Sequence, residues 1–260
     1  KPFFLYLAHM YVHLPIYVKQ EFLDKSGNGS YGAAVESIDW ATSVIMDELQ
    51  SLGLDENTIV IFTSDNGSLG NILPPFGGRQ ELIGGSNLPL RGSKGTTWEG
   101  GQRVPAMVRW KGKVEAGRVC DELLTAMDFY PTLANICGAQ IPQDRTIDGL
   151  DARAVWFDAQ AKSQHEHFVY YRANGLEAIR NRQYKLHFGK GKENVYELYD
   201  IVGDVSESTN VYDQFPAVVA SLTAAANHYR QTLGDDRTGS VGTQVRPIGR
   251  VENPQPLTHF

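Results

Sequence analysis

Three short stretches carry side chains that could act together on an anionic ester. In "VIFTSDNGSLG", residues 60–70, an apolar run ends and Asp65 and Asn66 follow at once. Two adjacent oxygen donors suit a hard cation, Ca²⁺ or Mg²⁺. The same Asp-Asn-Gly is strong turn chemistry, and two oxygens fall short of the roughly six to eight that Ca²⁺ takes. In "LRGSKGTTWEGG", residues 90–101, Lys94 stands between glycines, where it can reach an anionic oxygen with help from nearby backbone N–H groups. It is not a P-loop, because Ser93 stands where that motif needs Gly; a solvated loop lysine is the bland alternative. In "AHMYVHLP", residues 8–15, His9 and His13 suit acid–base work or anion contact, against the commoner structural histidine. His165, His167, His187, His228 and His259 receive no role. A cation pair, an anion-binding lysine and a proton donor at one site would be equipment for cleaving an ester of a strong oxyacid.

The elements that must hold these residues are legible in outline. Residues 3–7 (FFLYL) read as a buried strand. From 31 to 52, Val35, Ile38, Thr42, Ile45, Leu49 and Leu52 fall three and four apart and predict a helix, with Gly53 as its C-terminal cap. A second strand is expected over 58–62. Strand, helix, strand in this order suggests a parallel unit, and Asp65 and Asn66 would then lie beyond a strand's C-terminal end, where open α/β sheets bind ligands. Residues 64–103 are glycine-rich and read as a long loop, and "VPAMVRW" (104–110) as a third strand. Asp128 is placed to cap a helix ending at Cys137, with Gly138 after it. After about Asp151, "HFVYY", "LEAIR", "YKLHF" and "VYELYD" predict an antiparallel sheet. A helix follows over 216–233 with Val218, Leu222, Ala225 and Tyr229 on one side, and the tail from Gly234 is expected on the surface.

Composition narrows the function. A chain of 260 residues that is 42% hydrophobic and 21% charged is globular material. Its net charge of −6 argues against nucleic acid as a general partner. No apolar run approaches the roughly 20 residues of a membrane span. Cys120 and Cys137 match no metal or redox spacing and are read as buried thiols. Asn28-Gly-Ser30 and Asn66-Gly-Ser68 match the glycosylation sequon; the second conflicts with a metal role for Asn66.

The sequence resembles the sulfatase family of the alkaline-phosphatase-like superfamily, most nearly arylsulfatase A and N-acetylgalactosamine-6-sulfatase. "KPFFLYLAHMYVHLP" resembles the family's strand ending in His-x-Pro. The block from "YGAAVESIDW" to "VIFTSDNG" resembles its helix–strand–DNG segment, and "LRGSKGTTWEGGQRVPAMVRW" its Gly-Lys-x-Thr-x-Glu-Gly-Gly-x-Arg-x-Pro segment. "TAMDFYPTLANICG", "IDGLD" and "YELYDIVGDVSESTNV" resemble later segments in order. Met10, Tyr11 and the lack of proline after Asp204 depart from the usual pattern.

The resemblance implies an α/β fold: an alkaline-phosphatase-like sheet with helices over 1–150, incomplete here, then a smaller C-terminal antiparallel sheet plus helix over 151–260. It implies Asp65 and Asn66 as ligands of Ca²⁺, with Mg²⁺ as the alternative. Lys94 would contact the sulfate and the leaving oxygen, and His13 would sit at the sulfate. Glu99 and Arg103 would shape the loop. The implied reaction is sulfate-ester hydrolysis on a small molecule or glycan, by a periplasmic, secreted or lysosomal enzyme. Its nucleophile, a formylglycine made from Cys or Ser in C/S-x-P-x-R, has no counterpart around Cys120 or Cys137, so the chain is expected to be a fragment lacking that region. The rivals are a phosphoesterase of the same superfamily and a non-catalytic binder of sulfated glycans.

Overall fold

The computed structural model describes residues 1–70 and 85–255. His259 and residues 71–84 of the expected glycine-rich loop lie outside the described residues. Along the chain come α1 (Gln20–Leu23), α2 (Gly29–Ser51), β1 (Val60–Thr63), α3 (Glu99–Gln102), β2 (Ala106–Arg109), α4 (Phe129–Cys137) and α5 (Arg153–Phe157). Then follow β3 (Phe168–Arg172), β4 (Gly175–Arg180), β5 (Tyr184–Lys190), β6 (Glu193–Asp200) and α6 (Pro216–Leu233).

The fold is α/β, and its best-formed core lies in the C-terminal part. Strands β3 to β6 form an antiparallel meander in chain order. One face of this sheet is apolar. Leu176, Ile179, Leu186, Phe188 and Leu198 pack there against Leu222 and Ala226 of α6, with Val218, Ala225 and Tyr229 beside them. Pro216 opens α6, where its fixed φ suits the first turn. The other face is also covered, because every residue of β4 is buried. What covers it is the segment that carries Lys94.

Helix α2 ends as expected. Gly53 takes φ +67, the Gly53 N–H donates to the Gln50 carbonyl at 3.1 Å, and the Leu54 N–H donates to that of Leu49 at 2.9 Å. This pair of bonds is the Schellman motif, which needs the left-handed conformation that glycine adopts freely.

Several expectations are corrected. Residues 3–7 form no strand, and Phe4 and Tyr6 are 82% and 81% exposed; no described strand lies beside them to complete a ladder. The parallel unit is absent for the same reason. Strand β1 pairs antiparallel with β2, Val60 opposite Arg109 and Thr63 opposite Ala106. Asp128 does not cap α4 with its side chain. It closes a capping box with Thr125, accepting from that residue's N–H at 2.7 Å. Cys120 and Cys137 are free and exposed, not buried. The tail begins as packed chain: Asp235 is 1% exposed, accepts from Arg230, and bridges to Ser240. Among the described residues no helix is long and apolar enough to cross a membrane.

Candidate active site

Just beyond β1 the chain turns at Ser64, whose hydroxyl donates to the Asn66 carbonyl at 3.1 Å. Asp65 is exposed and Asn66 half-buried. Asn66 Nδ2 donates to the Gly67 carbonyl at 3.0 Å, so Oδ1 is the atom of Asn66 that could ligate a cation. Gly67 is buried, and a Cβ placed on it would stand 1.8 Å from the Gly100 carbonyl oxygen. Only glycine permits that approach.

The close approach is used. The Gly67 N–H donates to the Gly101 carbonyl at 3.1 Å, and the Lys94 N–H donates to the Ser68 carbonyl at 3.0 Å. Asn87 laces the same two segments: its Oδ1 accepts from the Ser68 N–H at 2.8 Å, and its Nδ2 donates to the carbonyls of Ser68 and Gly92. The structure therefore brings the Asp-Asn-Gly turn and the Lys94 loop together, from 26 or more residues apart in the sequence. Lys94 itself is half-buried, and among the described residues no carboxylate pairs with its ammonium.

His13 is placed differently. It is exposed, its N–H donates to the Met10 carbonyl at 2.9 Å, and its Nδ1 lies 2.8 Å from the Leu14 carbonyl. No hydrogen bond, ion pair or ring contact among the described residues joins it to the Lys94 loop or the Asp-Asn-Gly turn. His9 stacks on Tyr11. A divalent cation is tested by the donors at hand. Asp65 and Asn66 are hard oxygen ligands of the right kind, but no group of three or more His, Cys, Asp or Glu among the described residues could hold a metal. A cation held by Asp65 and Asn66 would need its further ligands from outside this set.

The resemblance named Glu99 and Arg103 as shaping the Lys94 loop, but sequence reasoning missed the partners that hold Glu99 beneath it. Glu99, completely buried, accepts from Tyr170 at 2.6 Å, Lys185 at 2.9 Å, Arg180 at 3.1 Å and Arg103 at 2.8 Å. Glu207, also completely buried, pairs with Lys185 at 3.0 Å, lies 3.2 Å from His187 Nε2, and accepts from the Glu99 N–H at 2.8 Å. Burial alone would push the Glu99 carboxyl up. The Lys185 and Arg180 charges and the Tyr170 hydroxyl outweigh it and hold the group at about 2. Burial moves the His187 imidazole down, against the pull of Glu207. The Arg91 and Lys190 cations stand 3.8 and 4.4 Å from the Trp98 ring centre, with the His187 ring 4.5 Å away. The available signal was period two: Lys185 and His187 alternate with Leu186 and Phe188. That alternation ordinarily marks a half-solvated strand, and here its polar face is buried against the loop.

Comparison with known proteins gives the family. The family model described as Sulfatase matches residues 1–139. The chain belongs to the sulfatase family. A second model, N-sulphoglucosamine sulphohydrolase, C-terminal, matches residues 93–232 of this sulfatase chain. Steryl-sulfatase of Rattus norvegicus is 42% identical over 178 residues, covering 68% of the chain and 30% of that protein. N-acetylgalactosamine-6-sulfatase of Canis lupus familiaris is 42% identical over 188 residues, covering 72% and 34%. Arylsulfatase D of Homo sapiens is 34% identical, covering 89% and 44%. The chain thus spans less than half of each of these relatives. Among solved structures, a sulfatase described with the metabolism of multiple glycosaminoglycans by Bacteroides thetaiotaomicron superposes with a TM-score of 0.77 at 30% identity, covering 88% of this chain and 50% of that one. The PsFucS1 sulfatase of Pseudoalteromonas sp. gives 0.75 at 26% identity, covering 84% and 46%. The expected alkaline-phosphatase-like fold is borne out.

Proposed function

We propose that this sulfatase-family chain supplies one part of a sulfate-ester hydrolase: an anion-binding lysine, Lys94, and two of the oxygens that hold a divalent cation, Asp65 and Asn66. The observation that carries this reading is the backbone lacing of the Asp-Asn-Gly turn to the Lys94 loop, which sets Asp65 and Lys94 on neighbouring segments, with no carboxylate paired to the Lys94 ammonium among the described residues. Ca²⁺ (or Mg²⁺), when bound, neutralises charge on the sulfuryl oxygens. Lys94 stabilises the charge that builds on the sulfate and the leaving oxygen as the ester bond breaks. His13 donates a hydrogen bond or a proton to that leaving oxygen. The substrate is a sulfated small molecule or glycan; the relatives named for steryl sulfate and for N-acetylgalactosamine 6-sulfate span both.

The nucleophile is assigned to formylglycine outside residues 1–260, because neither Cys120 nor Cys137 stands in C/S-x-P-x-R. Residues 1–260 alone are therefore expected to show no turnover of an aryl sulfate, since a covalent mechanism without its nucleophile retains only binding and electrostatics. The experiment is to assay residues 1–260 and the full-length protein on the sulfate and the phosphate ester of one phenol. Sulfate turnover by the full-length protein alone supports the proposal. Preference for phosphate would make it a phosphoesterase, turnover by neither a non-catalytic binder, and turnover by residues 1–260 would place the nucleophile within them.

A further inference from the structure

We propose that Thr97, Glu177 and Lys185 are positioning residues for Lys94, through which the C-terminal sheet sets the place of the lysine's turn. The proposal rests on the reading of Lys94 given above. Lys94 is the second residue of a four-residue turn over 93–96, closed by the Thr96 N–H donating to the Ser93 carbonyl at 3.0 Å. Gly95 at φ +83 provides the left-handed third position of a type II turn. Thr96 Oγ1 also donates to the Ser93 carbonyl, at 2.7 Å. The turn is thus stiff, and its place is decided by what holds its ends.

One end is tied to the Asp-Asn-Gly segment through the Lys94 N–H. The other is gripped at Thr97 from two strands. The Thr97 hydroxyl donates to Glu177 Oε2 at 2.7 Å, and the Thr97 carbonyl accepts from Lys185 Nζ at 2.6 Å. Both partners are themselves fixed. Glu177 Oε1 accepts from the Gly191 N–H at 2.6 Å, and Lys185 sits between Glu99 and Glu207. Thr97, Glu177 and Lys185 are 5%, 3% and 0% exposed, so water does not compete for these bonds.

The sheet bends its own pairing at this point. Tyr170 stands opposite Ala178 and Tyr171 opposite Leu176, so Glu177 is the extra residue of a β-bulge. A bulge re-aims a side chain at the cost of ladder hydrogen bonds, and here the side chain it leaves unpaired grips Thr97. Buried ion pairs are seldom more stabilising than well-packed apolar residues of similar volume. The cluster is therefore accounted for by the placement it imposes on the loop rather than by net stability.

The test uses Thr97→Val in the full-length protein, which removes the hydroxyl at nearly constant volume. Amide hydrogen exchange at Lys94 and Thr96 is expected to accelerate by about tenfold or more, with exchange at Ile179 and Leu222 unchanged. Turnover of an aryl sulfate is expected to lose about 10²-fold in kcat at constant KM, the scale of a 1 Å misplacement. In a Lys94→Ala background the same change should cost nothing further. Thr97→Ser should restore both readouts, and Glu177→Gln should reproduce the Thr97→Val pattern by a second route. Unchanged exchange at Lys94, acceleration equal at Ile179 and Leu222, or a kcat loss undiminished in the Lys94→Ala background would overturn the proposal. If Lys94→Ala leaves turnover intact, the reading of Lys94 fails, and the exchange rates alone decide whether the sheet positions the turn.

Discussion

Lys94 and Asp65 are assigned different work, so their variants should separate. Lys94→Ala in the full-length enzyme is expected to lower kcat by about 10²–10³-fold, the usual cost of one contact made to transition-state charge. Steady-state kinetics on an aryl sulfate checks this; a rise in KM alone would mean that Lys94 binds ground and transition states equally. Asp65→Ala removes an anionic ligand and should weaken Ca²⁺ binding sharply, as read by titration calorimetry; an unchanged affinity would remove Asp65 from the cation site. Asp65 was legible because it follows an apolar run directly and stands beside Asn66, and Lys94 because it stands between glycines. Their support was not. Glu99 meets Lys185 across 86 positions and Glu207 across 108, and no spacing rule reaches that far. Asp128 and His165, 2.8 Å apart across 37 positions, were hidden for the same reason.

At the scale of elements, the contact between the turn after β1 and the loop before β2 depends on one missing side chain. Gly67→Ala would drive a methyl into the Gly100 carbonyl, which lies 1.8 Å from the added carbon. The two segments must part, at a cost of about 1–3 kcal/mol typical of overpacking. The expected result is a lower urea midpoint at unchanged slope, together with faster exchange of the Lys94 amide. Helices α2 and α6 and strands β3–β6 were readable from sequence because each is a local pattern of period 3.6 or 2. Residues 3–7 carry the composition of a buried strand, but a strand exists only with a neighbour, and sequence pattern does not say which neighbour is present. The antiparallel pairing of β1 with β2 was missed likewise: residues 58–62 were expected to close a parallel strand–helix–strand unit, and 104–110 was read as a third strand after a long loop.

For the molecule as a whole, the buried cluster links stability to acid. Glu99 is held at about 2, below its ordinary 4.5. A carboxylate whose folded value is depressed contributes stability that is fully present above the unfolded value and lost as pH falls through the folded one. Unfolding free energy should therefore fall between pH 4.5 and about 2, and Glu99→Gln should flatten that slope while lowering the plateau above it. Urea titrations across this window check both. The same cluster bears on how the chain could be recombined. Sequence style changes at about Asp151, an inviting place to join halves of two relatives. Yet Glu99 lies on one side of that seam, and Arg180, Lys185 and Glu207 lie on the other. A hybrid that mismatched them would bury a lone charge, so across the family these four positions are expected to be inherited as a set, one reading frame's worth of covariation that crosses an otherwise modular seam.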